Sequence, residues 1–403
     1  MLYLCPMSIQ NRILTLAEAI HPEVVAARRH LHQHPELSFQ EVNTGRYIAD
    51  RLEAMGLQPE HGWAGNGVVC RIQGRQPGNK VVALRADIDA LPIQEANKVS
   101  YCSANEGIMH ACGHDVHTAS LLGVARILHD LRDAFAGTVQ LIFQPGEEQL
   151  PGGASIMIRE GVLENPKPAT ILGQHVHPPL EVGHIGMRAG RYMASCDELF
   201  VTVKGKGGHG ALPHDCIDPV AMTAQMIVAL QQVVSRYADP TLPSVLTFGK
   251  INTLGGATNV IPNEVKLEGT FRTMDERWRF EAHIRMRSIA ENLIKGMGGA
   301  VDFRIEVGYP ALINEPQLTH LIQQKAVAYL GADKVHELPI RMTAEDFSFY
   351  SQVIPACFYR LGTGNPSRGI TAPIHTDTFD VDEDCLVTST GLMSWLALSQ
   401  LGA

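Results

Sequence analysis

The sequence predicts an α/β fold: a mostly parallel-sheet domain with helices on both faces, carrying an inserted α+β domain of one antiparallel sheet and two helices. Three observations lead there. Short continuous apolar runs alternate with helical stretches early in the chain, as strands buried on both faces of a parallel sheet require. In the middle, half-exposed alternating runs replace them in the order β-α-β-β-α-β, which predicts one antiparallel sheet with two helices. At 403 residues the chain also exceeds the roughly 250–300 that one hydrophobic core organises.

Residues 8–56 read as two helices. Ile13, Leu16, Ala17 and Ile20 recur at helical spacing, Val24, Val25 and Leu31 continue the pattern, and Pro35 stops it. A further periodic run from about Thr44 to Met55 ends at Gly56. Val68-Val69, Val81 to Leu84, Val139 to Phe143 and Thr170 to Leu172 are strand candidates, with helical segments such as Thr118 to Leu131 between them. Near Gly190 the texture changes. Glu198 to Val203 alternates, a helix is expected over about 219–237, alternating runs over 244–252 and 264–273, and another helix over 275–296. After Gly308-Tyr309-Pro310 the α/β pattern resumes with Ala356-Cys357-Phe358-Tyr359. The larger domain is therefore expected to be discontinuous, 1–190 and 308–403, with the inserted domain over 191–307.

Composition bounds the function. Hydrophobic residues make up 45% and charged residues 19%, which excludes wholesale disorder, collagen and coiled-coil rods. A net charge of −9 gives no basic surface for nucleic acid, and no uninterrupted apolar stretch of about 18 residues is present to span a bilayer. The opening MLYLCPM lacks a basic stretch and a small-residue cleavage site, so it is not read as a signal peptide, and Met7 is an alternative start. Eight cysteines are scattered without a CxxC pair, which points to a reduced, cytoplasmic enzyme rather than a disulfide framework. Eighteen histidines, several clustered, point to metal or acid–base chemistry.

Five segments carry that chemistry. Met109 to His117 places Cys112, His114, Asp115 and His117 together, a set able to bind soft and borderline metals; a catalytic thiol or a solvated His-rich loop is the alternative. Because Cys112 and His114 are two apart, they converge only on a loop or turn. Gln144 to Glu148 follows an apolar strand, where open α/β sheets collect functional groups. Its paired carboxylates offer a ligand and a general base, or else cap the next helix. Gly173 to Pro178, Arg85 to Pro92 and Pro373 to Asp377 are each weak alone. Their shared placement at strand ends gathers Cys, His, Asp and Glu along one sheet edge.

The stretches RRHLHQHPELSFQE, ALRADIDALPIQE, MHACGHDVHTA, FQPGEE, GKGGHGALPHDCIDP, EDFSFY and APIHTDTFDVDED follow one another in that order. Together they resemble the dinuclear-metal amidohydrolases of the aminoacylase and carboxypeptidase clan. The subfamily resembled is that of hippurate hydrolase and the plant indole-acetyl-amino-acid hydrolases, that is, N-acyl-L-amino acid amidohydrolases, which implies that the larger domain is catalytic and the inserted one a lid and dimerisation domain. The resemblance implies that Cys112, His114, Glu148, His175 and His375 hold two divalent ions, zinc or manganese with cobalt or nickel also admissible, and that Cys112 bridges them. It implies Glu147 as general base, Asp89 (in preference to Asp87) as a carboxylate that orients the site, and His209 as the group that stabilises an oxyanion. Asn259 and Arg272 are implied as substrate-binding groups. His30, His32 and His34 read as structural, and His177 as a neighbour of the ligands. Glu345-Asp346-Phe347 matches a signature without an evident role, and Gly255-Gly256 reads as a turn.

One departure is visible: Thr376-Asp377-Thr378 follows His375 where relatives often carry Ser-Pro-x, which touches only the substrate rim. The implied activity is metal-dependent hydrolysis of N-acyl amino acids, hippurate-like, by a homodimer or dimer of dimers. No nucleic acid or membrane partner is expected. The rival readings are a metallo-dipeptidase or aminopeptidase, a thiol hydrolase using Cys112, and a non-catalytic metal-binding protein.

Overall fold

The helix Ile9–Gln33 begins where the Ser8 hydroxyl accepts the Asn11 N–H at 3.3 Å, and it buries Ile13, Ala17, Ile20, Val24, Ala27 and Leu31 along one stripe. Val42–Ala54 follows as a second amphipathic helix. The computed structural model describes residues 7–253 and 257–402. The apolar leader with Cys5 and the Gly255-Gly256 turn lie outside the described residues. Two compact units form: Met1–Gly190, Ile313–Pro339 and Phe349–Ala403 make the larger, Arg191–Leu312 and Ile340–Ser348 the smaller. Residues 308–312 and 340–348, which the sequence groups with the catalytic domain, thus belong to the smaller unit.

The larger unit is built on an eight-stranded sheet in the order 60–63, 67–73, 136–144, 76–87, 170–181, 356–364, 185–187 and 335–337. Its four central strands, 136–144, 76–87, 170–181 and 356–364, are mutually parallel. Antiparallel pairing is confined to the flanks. Strands 136–144 and 356–364 are buried nearly throughout, as are residues 81–87 and 171–176 of the other two, which is why these stretches read as continuous runs and not alternations. Val82, Leu84, Leu141, Phe143, Leu172 and Tyr359 join the core, against which the helices His114–Asp130 and Cys385–Leu401 pack.

One helix departs from expectation. It begins at His114, four residues before the Thr118 that periodicity suggests. Its first turn buries His114, Asp115 and His117 against polar partners, so no apolar period marks it. Gly113 precedes it with φ of +80°, and a Cβ there would lie 2.6 Å from Val176 Cγ2. Only glycine satisfies both demands.

The smaller unit has the expected β-α-β-β-α-β order. Its antiparallel sheet runs 244–253, 264–273, 197–204 and 300–307, and the helices Pro219–Leu230 and Glu276–Gly296 complete the core through Met222, Met226, Trp278, Ala282 and Met286. The expected 219–237 helix stops at Leu230 and gives way to a π-helical turn, Val233–Tyr237. Among the described residues, no helix is long and apolar enough to cross a membrane.

A buried ion cluster ties strand to helix in this unit. Arg279 Nη2 lies 2.5 Å and His283 Nε2 2.7 Å from the Asp197 carboxylate, and Arg279 Nη1 reaches Glu276 at 2.9 Å. Burial works against a charged Asp197, but the hydrogen bonds from His283 and Arg279 outweigh it and hold the carboxyl below its usual range. Removing one member of a buried pair strands the other, so Asp197→Ala should cost about 3–5 kcal/mol in chemical denaturation at pH 7. A depressed carboxyl stabilises the fold above its unfolded pKa of about 3.9 and loses that contribution as pH falls toward its folded value. The difference between wild type and variant should therefore be complete at neutral pH and shrink only in acid below about pH 4. A difference that instead shrank between pH 7 and 5 would mean that Asp197 is not the group responsible.

Candidate metal centre

The parallel strands deliver the site. Pairing of Asp87 with Gln144 and of Arg85 with Gly173 brings Asp87, the Gln144 to Glu148 turn and His175 to one end of the sheet. Cys112 comes from the turn before the helix that starts at His114. His375 arrives on the segment after strand 356–364 with φ of +62°, and its N–H donates to the Ala111 carbonyl at 2.7 Å. A non-glycine residue in that region carries backbone strain that its surroundings must hold in place. The Glu pair is not a helix cap: the following helix begins at Gly153, behind Gly152.

Donor atoms of Cys112, His114 and His175 lie within 4.8 Å of one another, as do those of Cys112, Glu148 and His375. The two groups share Cys112. Its Sγ is 3.4 Å from His175 Nε2 and 3.2 Å from His375 Nε2, which in turn lies 3.2 Å from Glu148 Oε1. Glu147 Oε2 stands 4.0 Å from His114 Nε2.

The hydrogen bonds decide which histidine nitrogens are available. His114 Nδ1 faces two acceptors, the Asp89 carbonyl at 2.9 Å and Asp89 Oδ1 at 3.1 Å, so a proton is held there and Nε2 is the nitrogen that a metal would take in place of a second proton. His175 Nδ1 donates to the Val176 carbonyl at 2.8 Å, again freeing Nε2. His117 is the reverse case. Its Nε2 accepts the Val176 N–H at 2.9 Å while Nδ1 meets Asp87 at 2.5 Å, so neither nitrogen is left for a metal. It steadies Asp87 instead.

These donors fit divalent cations. His114 Nε2 and Glu148 Oε1 are buried and make no hydrogen bond among the described residues, yet both point among the other donors. Imidazole nitrogens, a thiolate and carboxylates suit borderline ions. The electrostatics agree. Burial opposes a charged His114, but Asp87 and Asp89 outweigh it and push its pKa up to about 10. Burial, then Glu148, Glu147 and Asp87, push the Cys112 thiol well above its ordinary value. A nucleophilic cysteine is favoured by the opposite shift, so burial and the neighbouring carboxylates work against a free thiolate here. Asp89 is held below the usual carboxylate range: burial opposes this, but His114, the Glu148 N–H and Ser38 outweigh it.

Cys112, His114, Glu147, Glu148, His175, His375 and Asp89 are thus assembled within the larger unit. The smaller unit carries His209, Asn259 and Arg272. His209 pairs with Val260, and the Gly210 N–H donates to the Asn259 carbonyl at 2.7 Å, so two of these three are neighbours. His209 Nδ1 accepts the Ala211 N–H at 3.0 Å, which places the neutral ring's proton on the exposed Nε2. Arg272 is half-buried and spends one donor, Nη1, on the Met342 carbonyl at 3.2 Å.

Further side chains surround these groups. Asp87 was ranked below Asp89, yet it lies 3.6 Å from His114 Nε2 and binds Arg85 at 2.6 Å. Ser38 donates to Asp89 at 2.6 Å. His32 sits buried between Asp115 at 2.8 Å and Glu95 at 3.2 Å, and Arg28 binds the same Asp115 at 2.8 Å. The RRHLH stretch signals these contacts only once its folded partners are known.

A sequence model of peptidase family M20/M25/M40 matches residues 83–398. An N-acyl-L-amino acid amidohydrolase of Geobacillus stearothermophilus is 44% identical over 305 residues, 76% of this chain and 81% of that one. An N-acetyl-L-cysteine deacetylase of Bacillus subtilis is 38% identical over 389 residues, 94% of this chain and 90% of that one. The crystal structure of Bacillus subtilis YXEP, described as a dinuclear metal binding peptidase from the M20 family, superposes with a TM-score of 0.83. It is 35% identical and covers 96% of this chain and 99% of that one.

Protein loaded with Zn²⁺ or Mn²⁺ should carry two ions per chain by elemental analysis. His114→Ala and His375→Ala, one from each donor group, should each lower that content by about one ion. A full complement in both variants would remove these histidines from the ligand set.

Proposed function

The chain belongs to peptidase family M20/M25/M40, and from that membership we propose that it hydrolyses the amide bond of N-acyl amino acids, hippurate-like substrates included, to a carboxylic acid and a free amino acid. That it is a hydrolase of this family is the premise; the substrate is the proposal. The observation that carries it is the pair of donor groups sharing Cys112, with Glu147 beside them as a carboxylate that neither group requires. Glu147 also lies within 4.8 Å of the His114 and Glu148 donors, so base and ligand are the two roles open to it, and substitution separates them. The named relatives that act on N-acyl and N-acetyl amino acids support the substrate class.

Cys112, His114 and His175 would hold one ion, and Cys112, Glu148 and His375 the other. When bound, two divalent ions lower the pKa of water toward neutrality and polarise the scissile carbonyl. Glu147 accepts the proton of the attacking water and returns it to the departing amine nitrogen. Asp89 orients His114 through its Nδ1 and receives the Glu148 N–H at 2.9 Å, so one carboxylate steadies both a ligand and the turn that bears the base. We assign His209 to the oxyanion because its Nε2 is the protonated nitrogen and can donate. Arg272 retains guanidinium donors for the substrate carboxylate, a planar match that lysine would not give, and Asn259 is assigned to the substrate beside His209.

The two glutamates should separate under substitution. Glu147→Gln should retain both ions and lose turnover by a factor on the order of 10²–10⁴, while Glu148→Gln should lose or weaken one ion. Normal turnover by Glu147→Gln would exclude it as the base.

The substrate class is tested on a panel of N-acyl amino acids, their amide analogues and dipeptides. N-acyl amino acids should turn over fastest. Arg272→Ala should raise KM for them at least about 10-fold while leaving the amide analogues little changed, since only the former present a carboxylate. Faster turnover of dipeptides would favour the peptidase reading, and equal losses on both analogue types would make Arg272 structural.

A further inference from the structure

The segment Ser38 to Glu41, between the first two helices, has no task in the mechanism above, yet it holds two unfavourable features. Phe39 has φ of +63°, a region that side-chain-bearing residues avoid. Glu41 is fully buried, and among the described residues no cationic side chain lies within ion-pair distance of it. Burial, then the charge of Asp89, pushes its carboxyl up to about 7. Buried carboxylates are normally paired, and strained backbone persists where function requires it.

Both features meet at Gly146, the residue before Glu147. Glu41 Oε1 accepts the Gly146 N–H at 2.7 Å, within the range of charge-assisted bonds. The Phe39 ring fills the space where a Cβ on Gly146 would lie, and Gly146 itself has φ of +65°. Asn66 Nδ2 ties the two together, donating to the Phe39 carbonyl at 3.1 Å and to Glu41 Oε2 at 3.3 Å. On the other side of Glu147, the Glu148 N–H donates to Asp89 Oδ2 at 2.9 Å, the oxygen that also accepts Ser38 Oγ at 2.6 Å. Both peptide N–H groups that bracket Glu147 are therefore held from this one segment, directly by Glu41 and through Asp89 by Ser38.

We propose that Glu41, supported by Phe39 and Ser38, is a positioning residue that fixes the orientation of the Glu147 carboxylate. The inference rests on Glu147 being the general base. Its expected signature is a loss in kcat with KM and metal content preserved, because Gly146 loses its anchor while Asp89 still holds the Glu148 N–H. A misplacement of about 1 Å at a reacting group costs on the order of 100-fold in rate.

Glu41→Ala, loaded with metal, should lower kcat on an N-acyl amino acid by roughly 10- to 100-fold, keep KM within about 3-fold and retain two ions. Glu41→Gln, whose amide oxygen can still accept the Gly146 N–H, should recover most of that loss. In a Glu147→Gln background, adding Glu41→Ala should cost little more, since the group it positions is already disabled. Should Glu41→Ala fail to fold, Glu41→Asp retracts the same carboxylate by one methylene and should show the same kcat loss with ions retained. Wild-type kcat in the Ala or Asp variant overturns the inference. So does a kcat loss matched by loss of metal, or one undiminished in the Glu147→Gln background. An active Glu147→Gln enzyme would sink the base assignment itself; an inactive one beside a fully active Glu41→Ala enzyme would sink only the role of Glu41.

Discussion

Too many anionic groups withdrawn from water at one end of the parallel sheet is the constraint on which the rest of the larger unit depends. Asp87, Asp89, Glu147 and the Cys112 sulfur are all buried, and Glu148 is nearly so. Leaving several such charges uncompensated in a low-dielectric interior is prohibitive, so a group there either binds a cation or takes up a proton. Protons meet part of that demand, as the raised His114 and Cys112 values express. Divalent ions would meet it fully, because they bind the thiolate and the imidazole lone pairs that protons otherwise occupy. The parallel topology makes the concentration possible by ending several strands at one level.

Holding that charge in place takes backbone features that the chain would otherwise avoid. Gly113 and Gly146 adopt positive φ beside Cys112 and Glu147, and His375 and Phe39 do so without being glycine. Each strained residue is tied by a hydrogen bond at or next to the strain: His375 to Ala111, and the Phe39 carbonyl to Asn66. Behind the loop, Arg28 and His32 grip Asp115, the residue after His114, so the first helix braces the ligand-bearing turn from the rear. Such buried networks add little net stability relative to apolar packing, but breaking one is severe. Their benefit here is a single geometry for the donors.

Much of this was legible in the chain itself. Strands buried on both faces had to be continuous apolar runs, and the alternation from Glu198 onward had to be a half-exposed antiparallel strand, so the architecture followed from periodicity. The ligand segments could be picked out because they combine unusual residue types with strand-end positions. What periodicity could not reach was whatever depends on contacts distant in sequence. Glu41 looks like a surface acid until Gly146, 105 residues away, donates to it. The first turn of the helix at His114 is invisible to hydrophobic pattern because its buried residues are polar. The 340–348 segment joins the smaller unit through partners such as the Tyr192 carbonyl, which accepts the Arg341 N–H, and no local signal announces that pairing.

The same contacts narrow the class of ion. Hard cations such as calcium and magnesium prefer oxygen ligands in larger number, and a set containing a sulfur and three imidazoles is poorly matched to them. Two of those imidazoles donate Nδ1–H to backbone carbonyls, an arrangement that fixes the tautomer, aims Nε2 and strengthens it as a donor. Sulfur among the donors is compatible with zinc and the carboxylate of Glu148 with manganese, so the donor set admits both. Because Cys112 belongs to both donor groups, a change at either ion alters the ligand of the other. The sulfur common to both groups is placed by the turn at Gly113, whose left-handed backbone carries the chain from Cys112 into the helix that begins at His114.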